Sequence, residues 1–80
     1  MGVKDAVVQR FHGLCEERKI AINELASLSG VTPSSVYSMM DSSRRNVSIV
    51  LIKKLCDGLG ITIEEFFNSE LFRDLEQEIK

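Results

Sequence analysis

The sequence predicts an all-α fold, a compact bundle of five short helices in a single domain of 80 residues. Apolar residues recur three and four positions apart along most of the chain, which is the spacing of one face of an α-helix. No segment has the sustained alternation of apolar and polar residues that is typical of a half-buried strand. Residues that begin or end helices separate the apolar segments, and the clearest of these are Gly30, Pro33, Ser48 and Thr62.

The first two helices are predicted from their apolar stripes. We expect the first helix over residues 3–18 and the second over residues 22–28. The stripe of the first helix contains Val7, Phe11, Leu14 and Arg18, with Val3, Val8 and Cys15 beside it. The residues of the second that we expect to face inward are Leu25, Ala26 and Leu28.

The boundary between the second and third helices has clear signals. Gly30 ends the second helix, because glycine takes the left-handed conformation at little cost. Thr32 can cap a third helix with its hydroxyl, and Pro33 fits the first helical position, where no N–H group is needed. We expect this helix to run to about Met40, with a buried face made of Val36, Met39 and Met40.

Two further helices follow the polar segment DSSRRNVS. Ser48 is the expected cap of the fourth helix, which we expect Gly58 and Gly60 to end, and Thr62 is the expected cap of the fifth. The inward residues of the fourth are Ile49, Leu51, Ile52, Leu55, Cys56 and Leu59. Those of the fifth are Ile63, Phe66 and Phe67.

Asn68 and Ser69 predict a break, so we place one domain at residues 1–68 and an amphipathic helical tail at residues 69–80. The apolar residues of the tail, which repeat at helical spacing, are Leu71, Phe72, Leu75 and Ile79. This stripe can pack back on the domain or be covered by a second copy of the chain. Of these two alternatives we favour self-association.

Charge is distributed unevenly along the chain. Residues 1–56 contain eight Lys and Arg against five Asp and Glu, a net charge of +3, whereas residues 57–80 contain two against seven, a net charge of −5. This asymmetry is more informative than the total of −2. The N-terminal part can therefore approach phosphates while the acidic tail faces elsewhere.

Several classes of function are excluded by composition. Cys15 and Cys56 lie far apart with no CxxC spacing, and His12 is the only histidine, so a metal site lacks ligands. No catalytic constellation or phosphate loop is present, and we expect no enzyme, no cofactor and no small-molecule ligand. No run of about 20 apolar residues occurs, and charges interrupt the N-terminal segment, so we expect a cytoplasmic protein without a membrane span.

Residues 22–41 carry the sharpest pattern. Two helices that cross steeply over a tight turn need a small residue at their closest approach, which Ala26 supplies, and a turn residue that tolerates positive φ, which Gly30 supplies. The apolar residues that would hold this pair against the domain are Leu25, Val31, Val36 and Met39. This is the layout of a helix-turn-helix.

The segments LCEERKI, NELASLSGVTPSSV and IVLIKKLCDGLGITIEEFF make the resemblance specific. Over Phe11–Phe67 the chain resembles the phage-repressor and Cro-like family of helix-turn-helix domains, the XRE-type regulators. The resemblance implies a five-helix bundle of the lambda-repressor-like type that binds double-stranded operator DNA, usually as a two-fold homodimer. It also implies that the second helix of the motif lies in the major groove.

Matching the family residue by residue gives a candidate site. The groove-facing positions fall on Thr32, Pro33, Ser34 and Ser38, flanked by Ser35 and Tyr37. The segment that typically meets backbone phosphates falls on Ser43, Arg44, Arg45 and Asn46. The alternative interpretation is an ordinary solvated helix face beside a charged loop. No Arg, Lys, Asn or Gln stands on this helix to make a bidentate base contact, each worth about 1–3 kcal/mol of discrimination.

The chain departs from the family pattern at two places. Ile22 stands where members often have a phosphate-binding Gln. Cys15 and Met40 stand where many members pair an Arg with a Glu, so both partners are apolar here. Because a semi-buried ion pair can be replaced by packed apolar groups without loss when both sides change, we expect Cys15 and Met40 to touch.

Two functions remain. The first is a sequence-specific DNA-binding transcription regulator, a small repressor that reads DNA with Thr32–Met40. The alternative is a protein-interaction module that kept the fold, such as an antitoxin or an antagonist subunit of another regulator. The acidic tail, the hydroxyl-only set on the reading helix and Ile22 favour this alternative.

Overall fold

The computed structural model describes residues 1–79 and confirms the all-α prediction. Its helices are α1 (Val3–Arg18), α2 (Ile22–Ser29), α3 (Pro33–Met40), α4 (Ile49–Leu59) and α5 (Ile63–Phe67), followed by one turn of 3-10 helix at Glu70–Phe72. In this part of the chain, no helix is both long enough and apolar enough to cross a membrane. The helix boundaries therefore agree closely with those predicted from the sequence.

Short polar residues and glycines fix the helix ends. The side chains of Thr32, Ser48 and Thr62 each accept a hydrogen bond from a backbone N–H in the first turn of α3, α4 and α5, respectively. Gly30 and Gly60 follow α2 and α4 with φ of 67° and 72°, in the left-handed region that glycine adopts at little cost. The turns between helices are thus encoded locally.

The core draws side chains from all five helices. Phe11 of α1 and Phe66 of α5 are its largest fully buried members, and their ring centroids lie 4.4 Å apart. The buried apolar residues are Ala6, Val7, Phe11, Leu14, Cys15, Leu25, Ala26, Val36, Met39, Ile52, Leu55, Cys56, Leu59 and Phe66. Burial of these side chains from separate helices joins α1–α5 into one body.

Three predictions about individual residues are wrong. Leu28 is 56% exposed, because α2 turns its Ala26 and Ser29 edge inward and Leu28 lies roughly a third of a turn from that edge. Ile49, the first residue of α4, is 57% exposed. Gly58 does not end α4, which continues through Leu59 to Gly60.

The predicted helical tail is also wrong. Among residues 69–79 the chain forms only the turn at Glu70–Phe72, and residues 73–79 are not helical, while the last residue of the predicted tail, Lys80, lies outside the described residues. A segment this short is marginal as an isolated helix. Tertiary contacts decide its path instead, since Phe72 packs on Phe67 with ring centroids 4.8 Å apart and the backbone N–H of Glu76 donates to the carbonyl of Met1 at 3.1 Å. The tail packs back on the domain, which is the alternative we did not favour.

Candidate nucleic-acid interface

The helix-turn-helix is built by α2, the turn at Gly30 and α3. The backbone N–H of Val31 donates to the carbonyl of Ala26 at 3.1 Å, which closes the turn after α2. Ala26 and Val36 are fully buried and Met39 is nearly so, so both helices are held to the core by their inner faces. The outer face of α3 is consequently presented to solvent as a rigid surface.

Hydroxyl groups dominate the outer face of α3. Ser34, Ser35, Tyr37 and Ser38 are all exposed, and Tyr37 has 54% of its surface accessible. The hydroxyl of Thr32 lies 3.2 Å from that of Ser34 and 2.9 Å from that of Ser35. Each of these hydroxyls can donate or accept, so the face can adapt to several hydrogen-bonding partners.

A cleft of about 390 Å³ separates α3 from the start of α4. It brings together five of the predicted site residues, which are Ser34, Ser35, Ser38, Arg44 and Asn46. The other lining residues are Met39, Val47, Ser48 and Leu51. The first turn of α4 thus faces the same space as the outer face of α3, and its helix dipole adds partial positive charge there.

The other five predicted residues lie outside this cleft. They are Thr32, Pro33, Tyr37, Ser43 and Arg45. Thr32 caps α3, and Pro33 occupies its first turn. Tyr37 does not line the cleft and is exposed.

Asp41 organises the loop that follows α3. Its Oδ1 accepts hydrogen bonds from the backbone N–H of Ser43 at 2.9 Å and from the Ser43 hydroxyl at 2.8 Å. These bonds, with a smaller contribution from the Arg44 charge, hold the pKa of the Asp41 carboxyl below its usual value. The predicted phosphate contact Ser43 is therefore engaged inside the loop.

The two loop arginines point to different places. Arg44 lines the cleft, and its Nε lies 4.0 Å from Asp41 Oδ2. Arg45 lies beside the start of α1, where a Cβ placed on Gly2 would be 3.7 Å from Arg45 Nη2 and 3.0 Å from Glu78 Oε2. The structure therefore separates two residues that the sequence analysis treated as one phosphate-binding pair.

Three basic side chains of α1 bond to backbone carbonyls near the C-terminal ends of other helices. Arg10 Nε donates to the carbonyl of Phe66 at 2.8 Å, at the end of α5, and Arg18 donates to the carbonyl of Leu59, at the end of α4. Lys4 Nζ donates to the carbonyl of Asp41, just after α3. Each cation lies where the helix dipole is negative. All three charges help to hold the fold together, and Lys4 is the one of them that is buried.

Sequence reasoning missed Lys4, although a signal for it was present. Lys4 continues the buried stripe of α1, three residues before Val7 and seven before Phe11, and it is only 4% exposed. A charged residue on an apolar stripe has to find hydrogen-bond partners when it is buried. Two further residues of the cleft lining were predicted only for structural roles. Ser48 was predicted as a helix cap, and Leu51 was predicted as a core residue.

These features define a helix-turn-helix domain with a polar outer helix and a basic residue beside it. Comparison with known proteins then gives its family. Residues 10–70 match the Cro/C1-type HTH DNA-binding domain, and the chain belongs to this family. The family resemblance drawn from the sequence is thereby confirmed.

Two relatives extend the comparison. The chain is 48% identical over 42 residues to the control protein C.MunI from Mycoplasma sp., an alignment that covers 52% of this chain and 50% of that protein. It therefore spans about half the length of this curated relative. The crystal structure of the prophage Lp1 protein 11 superposes with a TM-score of 0.81 at 26% identity, covering 94% of this chain and all of the other.

Proposed function

We propose that this protein is a sequence-specific regulator of transcription that places α3 in the major groove of double-stranded DNA. One observation carries the proposal. The exposed serines of α3, Arg44 and the start of α4 line one open cleft. A phosphate group beside the groove can be met by Arg44 and by the positive end of the α4 dipole while α3 approaches the bases.

The side chains on α3 set the expected mode of recognition. Ser34 and Ser38 line the cleft and can bond to base edges or phosphates, and the ring of Tyr37 can contact a thymine methyl group. Hydroxyl groups pair with more than one base, so each contact discriminates weakly. We therefore expect specificity to depend on several such contacts together and on the shape of the DNA.

Binding as a homodimer belongs to the same proposal. One copy presents one reading helix, and helix-turn-helix dimers bind half-sites about 34–36 Å apart. The domain measures 37 × 24 × 20 Å, so two copies placed side by side along either shorter dimension fit within that spacing. A dimer seated on an operator that overlaps a promoter would exclude the polymerase, and we propose repression on that basis. The two relatives are a control protein and a prophage protein, which accords with a regulatory role.

Selection of bound sequences from a random duplex library tests the proposal and identifies the operator. We expect enrichment of a two-fold symmetric site. On that site, affinity should fall steeply with salt because phosphate contacts release counterions. Arg44→Ala should lower the slope of log K against log salt by about one. Arg73→Ala, which removes the same charge from the exposed tail, is the matched control and should leave the slope unchanged.

The second candidate is a protein-interaction module of another regulator. It is favoured by the hydrogen bonds that engage Lys4, Arg10 and Arg18 with backbone carbonyls, because they bury the charge of Lys4 and direct the other two toward the protein. Ile22, at the start of α2, also supplies no side-chain donor for a phosphate. Absence of duplex binding at low salt would support this candidate and contradict the first.

A further inference from the structure

Lys4 is a buried cation in the first turn of α1. It is 4% exposed, and it is the one charged residue buried to this degree within residues 1–79. Its Nζ donates hydrogen bonds to the backbone carbonyls of Asp41 at 3.0 Å and Arg44 at 2.5 Å. An ammonium group removed from water requires such partners, because desolvation is costly when they are missing.

The two carbonyls that Lys4 binds are the two ends of one turn. The backbone N–H of Arg44 donates to the carbonyl of Asp41 at 3.1 Å, so residues 41–44 form a closed turn. Within it, the Asp41 carboxylate accepts two hydrogen bonds from Ser43. Lys4 therefore joins a compact turn, already ordered by its own bonds, to the rigid first helix.

No other side chain in residues 1–79 makes a hydrogen bond that joins this turn to a helix other than α3. Residues 41–46 are all exposed, so apolar burial contributes little to the position of the turn. Arg44 belongs to the turn and lines the cleft beside α3. Lys4 thus holds the backbone of the residue whose side chain lines the cleft.

We propose that Lys4 is a positioning residue for DNA binding, which fixes the turn at residues 41–44 so that Arg44 meets a backbone phosphate. This inference rests on the proposed function, since it concerns the same DNA-facing cleft. Lys4 does not itself contact DNA, because its ammonium is buried against the two carbonyls. Its side chain acts by reducing the number of conformations that Arg44 has to lose on binding.

Lys4→Met tests the proposal, because methionine keeps the length of the side chain and removes its three donors. DNA affinity is measured across a salt series, at a temperature where circular dichroism shows each variant to be folded. We expect Lys4→Met to weaken binding about tenfold and to lower the salt slope by about one, as Arg44→Ala does. Lys4→Arg keeps the charge and N–H donors and should restore most of the affinity. Arg73→Met, which removes an exposed charge from the tail, should bind as the wild type does.

The double variant separates positioning from a general loss of stability. If Lys4 acts through Arg44, Lys4→Met should have little further effect on affinity once Arg44 is alanine. A residue that only stabilises the fold would lower the melting temperature and leave the affinity and salt slope of the folded protein unchanged. That result in Lys4→Met, or in Lys4→Gln if the methionine variant fails to fold, would overturn the proposal. Failure of the wild type to bind any duplex would overturn the proposed function itself, and the role of Lys4 with it.

Discussion

Gly58 of α4 packs directly against Ser29 of α2. A Cβ atom built on Gly58 would lie 2.1 Å from Ser29 Oγ and 3.0 Å from both the Cα and the backbone nitrogen of Ser29. Real Cβ atoms almost never approach other atoms so closely, so α2 and α4 meet at this point with no space for a side chain. Because α2 is the supporting helix of the helix-turn-helix, this contact helps to fix the motif on the body of the domain.

We predict that Gly58→Ala destabilises the protein. Forcing a methyl group into this contact should lower the free energy of unfolding by about 1–3 kcal/mol, although alanine is favoured over glycine in a helix interior by about 1 kcal/mol. Urea unfolding measures the change. Gly13→Ala is the matched control, because a Cβ on this glycine of α1 has no neighbour within 4 Å and should stabilise the protein. Equal stabilisation by both substitutions would show that the contact has room after all.

A substitution at Ser29 can identify which atoms cause the loss of stability in Gly58→Ala. Its hydroxyl is buried and has no hydrogen-bond partner within residues 1–79. If the hydroxyl is the main obstacle, Ser29→Ala should recover most of the stability lost in Gly58→Ala. If the backbone of α2 is the obstacle, the loss should persist.

Much of the fold could be predicted from the sequence because its signals are local. Thr32 with Pro33, and the caps Ser48 and Thr62, act on the backbone within a few residues, so they specify helix starts without reference to the rest of the chain. The helical period of the apolar residues then gave most of the core. The exposed polar face of α3 could be predicted from the same period, because it is the side of the helix opposite the apolar residues.

The features that could not be predicted depend on contacts between distant parts of the chain. Gly58 was interpreted as a helix end, because a glycine at this position can either end a helix or allow two helices to approach closely. Arg44 and Arg45 are neighbours in sequence, and only the path of the loop and the nearby Glu78 separate them. The apolar stripe of α1 carried a signal that Lys4 is buried, but its partners are carbonyls 37 and 40 residues away, which no local pattern identifies.

Phe72 should stabilise the domain although it lies beyond residue 68. Its ring lies 5.8 Å from that of Phe66 and 4.8 Å from that of Phe67, centroid to centroid. Phe72→Ala should lower the free energy of unfolding by about 1–3 kcal/mol, below the range for a fully buried Phe because this ring is only partly buried. Ile79→Ala is the control, since Ile79 is 85% exposed and its loss should change stability little. Unchanged stability in Phe72→Ala, measured by urea unfolding, would mean that the tail is not part of the folded unit.

The two thiols should make stability depend on alkaline pH. Burial raises the pKa of Cys15 and of Cys56, and nearby cations offset this only in part. The native protein therefore keeps protons that the unfolded chain releases above a pH of about 8.5. This contribution to the free energy of unfolding is fully present below that pH and is lost as the pH rises through the folded pKa values.

Urea unfolding between pH 7 and 10 measures the effect, with the variant in which both cysteines are alanine as the reference. As the pH rises, the free energy of unfolding of the wild type should fall more than that of the double-alanine variant. Iodoacetamide should also modify both thiols slowly in the native protein and quickly in urea. Rapid modification of the native protein at pH 8 would contradict the burial on which the prediction rests.

Substitutions at Cys15 and Met40 can test whether an apolar pair stands here in place of the Arg–Glu ion pair of many family members. Cys15 is 4% exposed within the core, and Met40 packs against the same core from the end of α3. Their direct contact stays a prediction. Cys15→Arg alone should lower the free energy of unfolding by about 3–5 kcal/mol, because it buries a charge without a partner. Adding Met40→Glu supplies the carboxylate and should recover about 0.5–3 kcal/mol of that loss as a coupling energy.

Met40→Gln is the matched control, since it has nearly the same shape as glutamate but no charge. In the Cys15→Arg background, Met40→Gln should recover much less of the lost free energy of unfolding than Met40→Glu does. If the coupling is ionic, this difference between the two variants should shrink as salt is added. A coupling energy near zero would mean that the two positions do not meet and that each became apolar for its own reason. A coupling that is present for glutamate and absent for glutamine would establish that α1 and the end of α3 are joined at this point.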